Sequence, residues 1–308
     1  MKKILCICLS ATYQRTVTFK NLTLEKVNRS LCYRLDASGK AINSARVLNQ
    51  LEEGCVEALC PLGEENTKEF TALAERDNLP LAYVTIPGKT RTCWTLLDKE
   101  KGTTTELVVS EPDINHFDKE KIQIAEVKLL KYLNEKLPEL DAVLLAGSRP
   151  SWWSNDLYAA ICGIVKDKGK IFLADYIGQD LINTIEATPP DIIKINEDEY
   201  IQTFGLEKEA EKFTTVDFQK HIIDMSKKLN NIIIVTRGTS STYASNKGEF
   251  FECETEKVNA INTTACGDSF NSGFLYEYIN TKNMKKALEK GTWCAARNAE
   301  QEAPGSLY

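Results

Sequence analysis

Short apolar runs recur along the chain, and segments with hydrophobic residues three or four positions apart fill the intervals between them. CVEALCPLG (55–63), LPLAYVTI (79–86), LDAVLLAGS (140–148), GKIFLADY (169–176), PPDIIKI (189–195) and NNIIIVTRG (230–238) are near-continuous apolar, as strands buried on both faces of a parallel sheet are. The run from Ile4 to Leu9 is read as the first strand of the same kind. Helical spacing predicts helices at about 41–53, 65–77, 117–136, 155–168, 179–187, 197–204, 216–230, 267–281 and 284–301. Alternation of this sort signals βαβ units and an α/β fold with a mostly parallel sheet.

Two stretches depart from the rhythm. Residues 11–36 and 91–110 mix polar and apolar positions, and the second carries a Lys-Gly turn signal at 101–102. Both are expected to form antiparallel strands exposed on one face, pairing as a small sheet outside the main one. The charged EKEAEK at 207–212 reads as a solvated segment, and no internal repeat, low-complexity tract or linker divides the chain.

Composition narrows the function. The 308 residues are 43% hydrophobic, ample for a large core, and the net charge of −6 disfavours the broad electropositive surface that nucleic acid requires. Ten cysteines without any C-x-x-C spacing, several inside apolar runs, predict free thiols in a reducing cytoplasm rather than a zinc or redox site. His116 and His221, the only histidines, read as surface or helix residues. The six-residue run Ile4 to Leu9 is shorter than the ~7–15 residues of a signal's apolar region. No stretch approaches the ~18 apolar residues of a membrane span, so neither a membrane location nor glycosylation of the Asn-x-Ser/Thr sequons is expected.

Candidate chemistry lies in two small-residue turns that open helices. In NTTACGDSFNSGFLY (262–276), Asp268 falls at the start of a helical pattern marked by Phe270, Phe274, Leu275 and Tyr278. A helix N-terminus presents unpaired N–H groups and a positive dipole end to an anion, and a carboxylate beside a held phosphoryl group can take the proton of an attacking hydroxyl. An N-cap Asp after a turn glycine accounts for the same letters. In DASGKAINSARVL (36–48), Lys40 and Asn43 stand early in a second such helix, either as a phosphate-compatible corner or as an ordinary helix start.

Taken together, SGKAINSARVLNQL and NTTACGDSFNSGF resemble the two signatures of the ribokinase-like (PfkB) carbohydrate kinases. KTRTCWTL, TTTELVVSEP, LLAGSRPSW, IIKINEDEY, IIVTRGTSSTY and NAEQEAPGS look like further family segments in family order, so the resemblance spans the chain. The TRT segment and both ends look most like the 1-phosphofructokinase and tagatose-6-phosphate kinase branch. The resemblance implies one domain over 1–308, a three-layer α/β/α sandwich whose small β-sheet lid is formed by 11–36 and 91–110 and commonly makes a dimer contact.

It also implies site roles. Asp268 would be the catalytic base, with the backbone of Ala265, Cys266 and Gly267 as the anion hole. Asn196 and Glu199 match an N-x-x-E element that organises Mg²⁺ through water. Thr236 and Gly238 match the ATP-binding strand end, and Asn298 the segment near adenine. Lys40 and Arg91 match positions holding the sugar's phosphate, and Asn43 a sugar-hydroxyl contact. Without the resemblance, Asn196 and Glu199 read as a helix cap and first-turn acid, and Arg91 as a solvated lid residue.

The chain departs from the family pattern at several positions. Gln14 stands where an acid usually grips sugar hydroxyls, Ser38-Gly39 replaces a double glycine, and Ala41 replaces the glycine after the lysine. Cys93 and Ser110 replace lid-side asparagines, and Ile195 a proline. Ala265 replaces the first glycine of the anion-hole loop and supplies the same N–H if the loop keeps φ negative there. Three readings follow: an ATP-dependent kinase of a phosphorylated ketohexose, a kinase of an unphosphorylated sugar, polyol or nucleoside, and a non-catalytic sugar- or nucleotide-binding protein.

Overall fold

A computed structural model describes residues 1–111, 119–206 and 214–308. The solvated segment expected at 207–212, His116 and the first two positions of the helix expected at 117–136 lie outside these residues. The main sheet has nine strands in the order β13-β12-β11-β10-β9-β8-β1-β4-β5. Seven of them run parallel: β1 (Ile4–Ile7), β4 (Val56–Gly63), β5 (Leu81–Ile86), β8 (Ala142–Ala146), β9 (Ile171–Asp175), β10 (Ile192–Asn196) and β11 (Ile232–Arg237). At one edge, β12 (Ser240–Asn246) and β13 (Glu249–Cys253) continue it antiparallel, a hairpin absent from the sequence expectation.

Alternation along the strands sends side chains to two separate cores. Ile4 and Cys6 of β1, with Cys8 just beyond it, join the core under α1 (Lys40–Leu51), α2 (Thr67–Arg76), α8 (Cys266–Thr281) and α9 (Met284–Ala299). Leu5, Ile7 and Leu9 join the core under α3 (Lys119–Lys136), α4 (Leu157–Asp167), α5 (Gly178–Ala187), α6 (Glu197–Thr203) and α7 (Thr215–Leu229). Helices therefore cover both faces, giving three layers. Strand order reverses at β1, and in open α/β sheets ligands bind outside the carboxyl ends of strands at such a switch point.

The small sheet is present, with one correction. Its four strands, β3 (Cys32–Ser38), β2 (Thr12–Phe19), β6 (Arg91–Asp98) and β7 (Thr103–Leu107), lie in that order, but the central pair β2–β6 is parallel. The unit is two antiparallel hairpins joined through their first strands, with Gln14 opposite Cys93. The expectation of strands exposed on one face fits β6, whose positions largely alternate between buried and half-buried, but fails for β7, which has no buried position, and for β2, which is buried at every position but Arg15. Tyr13 shows why, packing edge-on against Phe70 of α2 with ring centroids 5.3 Å apart.

Candidate active site

A cleft of about 980 Å³ opens between the small sheet and the carboxyl ends of β1, β8, β9, β10 and β11. Its lining includes Gln14, Ser38, Gly39, Lys40, Asn43, Arg91, Asn196, Glu199, Thr236, Gly238, Ala265, Cys266, Gly267 and Asp268, so one pocket gathers fourteen positions scattered over the sequence. Asn298, expected near adenine, is not among them. It is fully buried behind the loop, donating to Thr264 O at 2.8 Å and to Cys266 Sγ at 3.4 Å and accepting from Gly305 N at 2.7 Å. Its place is support for the loop from beneath.

Asp268 sits in the first turn of α8, at the third helical position. The cap is Ala265, so the reading of Asp268 as an N-cap does not apply. The first intrahelical bond runs from Ser269 N to Ala265 O, which leaves the preceding amides as the helix's orphan donors. Cys266 N makes a long turn bond of 3.3 Å to Thr263 O. Ala265 has φ 67°, the left-handed region, contrary to the expected negative φ. Alanine there carries a steric penalty that glycine would not.

The carboxylate is 6% exposed, and Asn43 Nδ2, from the first turn of α1, donates to its Oδ2 at 2.9 Å. Burial pushes its pKa up to about 6, opposed by Lys40, Lys194 and the Asn43 bond and reinforced by Asp175. A carboxyl raised in this way is a stronger proton acceptor than an ordinary aspartate. Asn43 is itself fixed by Ser38 Oγ at 2.8 Å. Gly39, with φ 136°, caps α1 where any Cβ would lie 2.6 Å from Cys8 Sγ, so the helix can start this close to β1 only at a glycine.

Beneath these groups lies a charge network that the sequence expectations did not include. Asp175, at the end of β9, is fully buried between Lys40 Nζ at 3.3 Å and Lys194 Nζ at 3.6 Å, and Asn271 Nδ2 donates to it at 2.5 Å. Burial would raise its carboxyl, yet the two lysines and the amide outweigh that and hold it below its ordinary value. Lys40 is pushed above the usual lysine range, chiefly by Asp175. A Cβ on Gly267 would fall 2.9 Å from Lys194 Nζ, so this buried side chain rests against the backbone that opens α8. The available signal was a lone lysine interrupting the apolar Ile192–Ile195 run and an acid closing the IFLAD run.

On the lid side, Arg91 is only 13% exposed rather than solvated. Its Nη2 donates to Ser10 Oγ and its Nη1 to Val109 O, both at 2.7 Å, and its Nε lies 3.1 Å from Glu111 Oε1. Ser10 Oγ also bonds Glu111. Gln14 is buried and donates from Nε2 to Thr95 Oγ1 at 2.8 Å. Asn196 and Glu199 form a reciprocal capping box on α6, as the simple helix-cap reading holds, while Glu199 Oε1 also faces Lys40 Nζ at 3.6 Å. Among the described residues no group of three or more His, Cys, Asp or Glu side chains is arranged to hold a metal. A hydrated Mg²⁺ needs only one or two carboxylates plus substrate phosphates, and Glu199, its Oε2 fixed by Asn196 N, fits that lesser demand.

Thr236 and Gly238 lie at the end of β11 in the same cleft, beside Asn196 in register. His221 lies on α7, its Nδ1 2.8 Å from the Tyr200 hydroxyl, far from any of these groups in role. The ten cysteines are all free, and burial raises Cys266 to about 11, so its thiol stays protonated at the start of α8. No helix among the described residues is long and apolar enough to cross a membrane.

Comparison with known proteins places this geometry. The profile described as pfkB family carbohydrate kinase matches residues 1–307. A tagatose-6-phosphate kinase of Staphylococcus epidermidis is 26% identical over 308 residues, covering 99% of this chain and 94% of that protein. Among solved structures, phosphofructokinase-2 of Escherichia coli in complex with fructose-6-phosphate superposes with a TM-score of 0.83 at 16% identity, covering 97% of this chain and 94% of the other. Ribokinase of Thermotoga maritima superposes with a TM-score of 0.71 at 19% identity, covering 100% and 96%.

Proposed function

The chain belongs to the pfkB family of carbohydrate kinases, and we propose that it transfers the γ-phosphoryl group of ATP to a hydroxyl of a ketohexose phosphate, giving a bisphosphate, with Asp268 as the base. The observation that carries this reading is a buried carboxylate inside the first turn of α8, facing the same cleft as that helix's orphan amides. The named activity of the Staphylococcus relative supports the acceptor class.

Asp268 takes the acceptor hydroxyl's proton as that oxygen forms its bond to the γ-phosphorus and the bond to the β-phosphate oxygen breaks, ADP carrying away the electron pair. The amides of Ala265, Cys266 and Gly267, with the Lys194 ammonium behind them, face the charge on the transferring group. Asn43 fixes the base, and Thr236 and Gly238 border the nucleotide side. Asn196 and Glu199 would hold the waters of a magnesium ion, whose charge would offset that of the phosphates. Arg91 and Lys40 are the acceptor-phosphate cations. Burial at the small sheet excludes water from the reacting centre.

One observation favours a second reading, an unphosphorylated sugar, polyol or nucleoside acceptor: both cations are already paired, Arg91 with Glu111 and Lys40 with Asp175 and Glu199. The exposed apolar side chains Leu24, Val27, Leu31 and Tyr33 on one edge of the lid support a homodimer through it. Free thiols throughout support a reducing, cytoplasmic setting.

The deciding experiment is ADP release from ATP–Mg²⁺ across fructose 1-phosphate, fructose 6-phosphate, tagatose 6-phosphate, free hexoses and nucleosides, with Asp268→Asn as control. Turnover on a sugar phosphate is the expected result. Turnover only on unphosphorylated acceptors moves the conclusion to the second reading, and ATP binding without turnover on any acceptor leaves only a binding protein.

A further inference from the structure

The small sheet does more than roof the cleft, because it bonds directly to the loop that opens α8. Gln14 Nε2 on β2 donates to Thr95 Oγ1 on β6 at 2.8 Å, Thr95 Oγ1 lies 3.3 Å from Thr264 Oγ1, and Thr264 Oγ1 donates to Glu106 Oε1 on β7 at 2.7 Å. A hydroxyl has one proton to give. Thr264 gives its own to the carboxylate, so the proton between the threonines is that of Thr95, and the chain runs one way, from Gln14 through Thr95 and Thr264 to Glu106. Such chains polarise and strengthen one another, all the more where, as at Thr95, the hydroxyl is fully buried. A fourth contact, Thr263 N to Thr104 Oγ1 at 3.4 Å, joins β7 to the same loop.

The residue that follows is Ala265, at φ 67°. A loop that must hold an alanine in the left-handed region persists only where its surroundings over-determine it. Here the surroundings are Asn298 from the body, 2.8 Å from Thr264 O, a bond within the loop from Thr264 N to Asn262 Oδ1 at 3.0 Å, and the small sheet from above.

Resting on the kinase reading above, we propose that Thr95 and Thr264 are positioning residues through which the lid sets the left-handed turn at Ala265, so that the anion hole is assembled by lid contact and is linked to the acceptor pocket through Gln14. An acceptor hydroxyl bonded to the Gln14 carbonyl adds to the start of this chain and firms its far end. Without the latch the turn relaxes toward negative φ, and the first-turn amides of α8 swing off the transferring phosphoryl group. The lid thereby withholds the transfer geometry until the acceptor side is in place, which limits loss of ATP to water.

Isosteric replacement tests this. Thr264→Val removes both hydroxyl bonds while keeping the shape, and is expected to lower kcat on the order of 10- to 100-fold with little change in KM for ATP, since positioning rather than binding is lost. Thr264→Ser, which keeps the hydroxyl, is expected to retain most of the activity. Adding Ala265→Gly to Thr264→Val is expected to restore kcat to within a few-fold, because glycine reaches positive φ without help. A residue of merely structural importance would not be rescued by that second change. Hydrogen exchange at the amides of 265–268 gives an answer independent of turnover: it is expected to be faster in Thr264→Val than in the unmodified protein and slow again in Thr264→Ser.

Unchanged kcat and unchanged exchange in Thr264→Val overturn the proposal, and so does a loss that Ala265→Gly fails to repair. If the unmodified protein turns over none of the acceptors, the kinase reading fails, and the exchange comparison still decides the latch. Should Thr264→Val not fold, Thr95→Val is read in the same two assays with the same expectations.

Discussion

The floor of the cleft and its roof are built by different means. In the floor, Asp268, Asn43, Asp175, Lys194 and Asn271 are buried on helices and strand ends locked by two hydrophobic cores, and their partners are one another. In the roof, Arg91, Gln14, Thr95 and Glu106 stand on a four-stranded sheet, Ser10 and Glu111 flank it, and they hold each other through side-chain bonds that an incoming acceptor can exchange for its own. The floor is preorganised for one kind of chemistry, and the roof is adjustable toward different acceptors. The departures from family pattern fall on both sides: Gln14, Ser38 and Cys93 lie on strands of the small sheet, and Ala41, Ile195 and Ala265 lie in the floor, where Asp268 and Gly267 are kept.

The contrast can be broken most severely at the base. Asp268→Asn should lower turnover by roughly 10²- to 10⁴-fold while ATP affinity, read by calorimetry, stays near its original value. Near-normal turnover would remove Asp268 from the mechanism. The same variant should be more stable at neutral pH. A carboxyl raised to about 6 contributes stability that is complete below its ordinary value of 3.8 and lost as pH rises through 6, and the neutral amide avoids that loss. Urea unfolding at pH 7 should show a gain on the order of 1–3 kcal/mol.

Next in size is Lys194→Met. Removing one partner of a buried ion pair leaves Asp175 under-compensated and should cost about 3–5 kcal/mol of stability, part of which Asp175→Asn in the same chain should return. A variant as stable as the original would show that Lys40 alone suffices for Asp175. In the roof, Arg91→Gln should raise KM for a sugar phosphate by roughly 10- to 100-fold and move kcat less, the mark of an interaction already made in the ground state. Equal losses in both constants would place Arg91 with the floor instead. The mildest effect is that of pH: kcat/KM should fall about tenfold per unit below about 6 and level off above it, and a profile flat down to pH 5 would mean that the base is not Asp268.

The layering of the fold was legible because strands buried on both faces leave long apolar runs such as DAVLLA and IIIV, and helices between them keep their spacing. The edge hairpin β12–β13 was not, since STYASN and EFFEC are short, half-polar and joined by an Asn-Lys-Gly turn whose letters suit any loop. Asp268, Asn43 and the glycines could be found from their small-residue turns. Lys194 and Asp175 could not be assigned a role, because a charged residue on a strand says nothing of which neighbour will neutralise it. Ala265 illustrates the deeper limit: its letter argues for negative φ, and only contacts from Asn298, Asn262 and the small sheet hold it at φ 67°. Asn298 shows the same limit, since its letter does not say that its side chain turns inward to Thr264 O and Gly305 N.

Asn43 and Asp268 stand 225 residues apart, and Ser44 and Ser272, which tie α1 to α8 through bonds to Asp268 O and Ser44 O, are separated as widely. On the ribosome, then, a nascent chain can lay down β1, the lid and most of the sheet long before the carboxylate exists to be buried. Asp268 acquires its buried environment and its Asn43 partner only when α8 docks against α1, so a chain in which those two helices fail to meet would lack the floor of the cleft altogether rather than carry a loosened one.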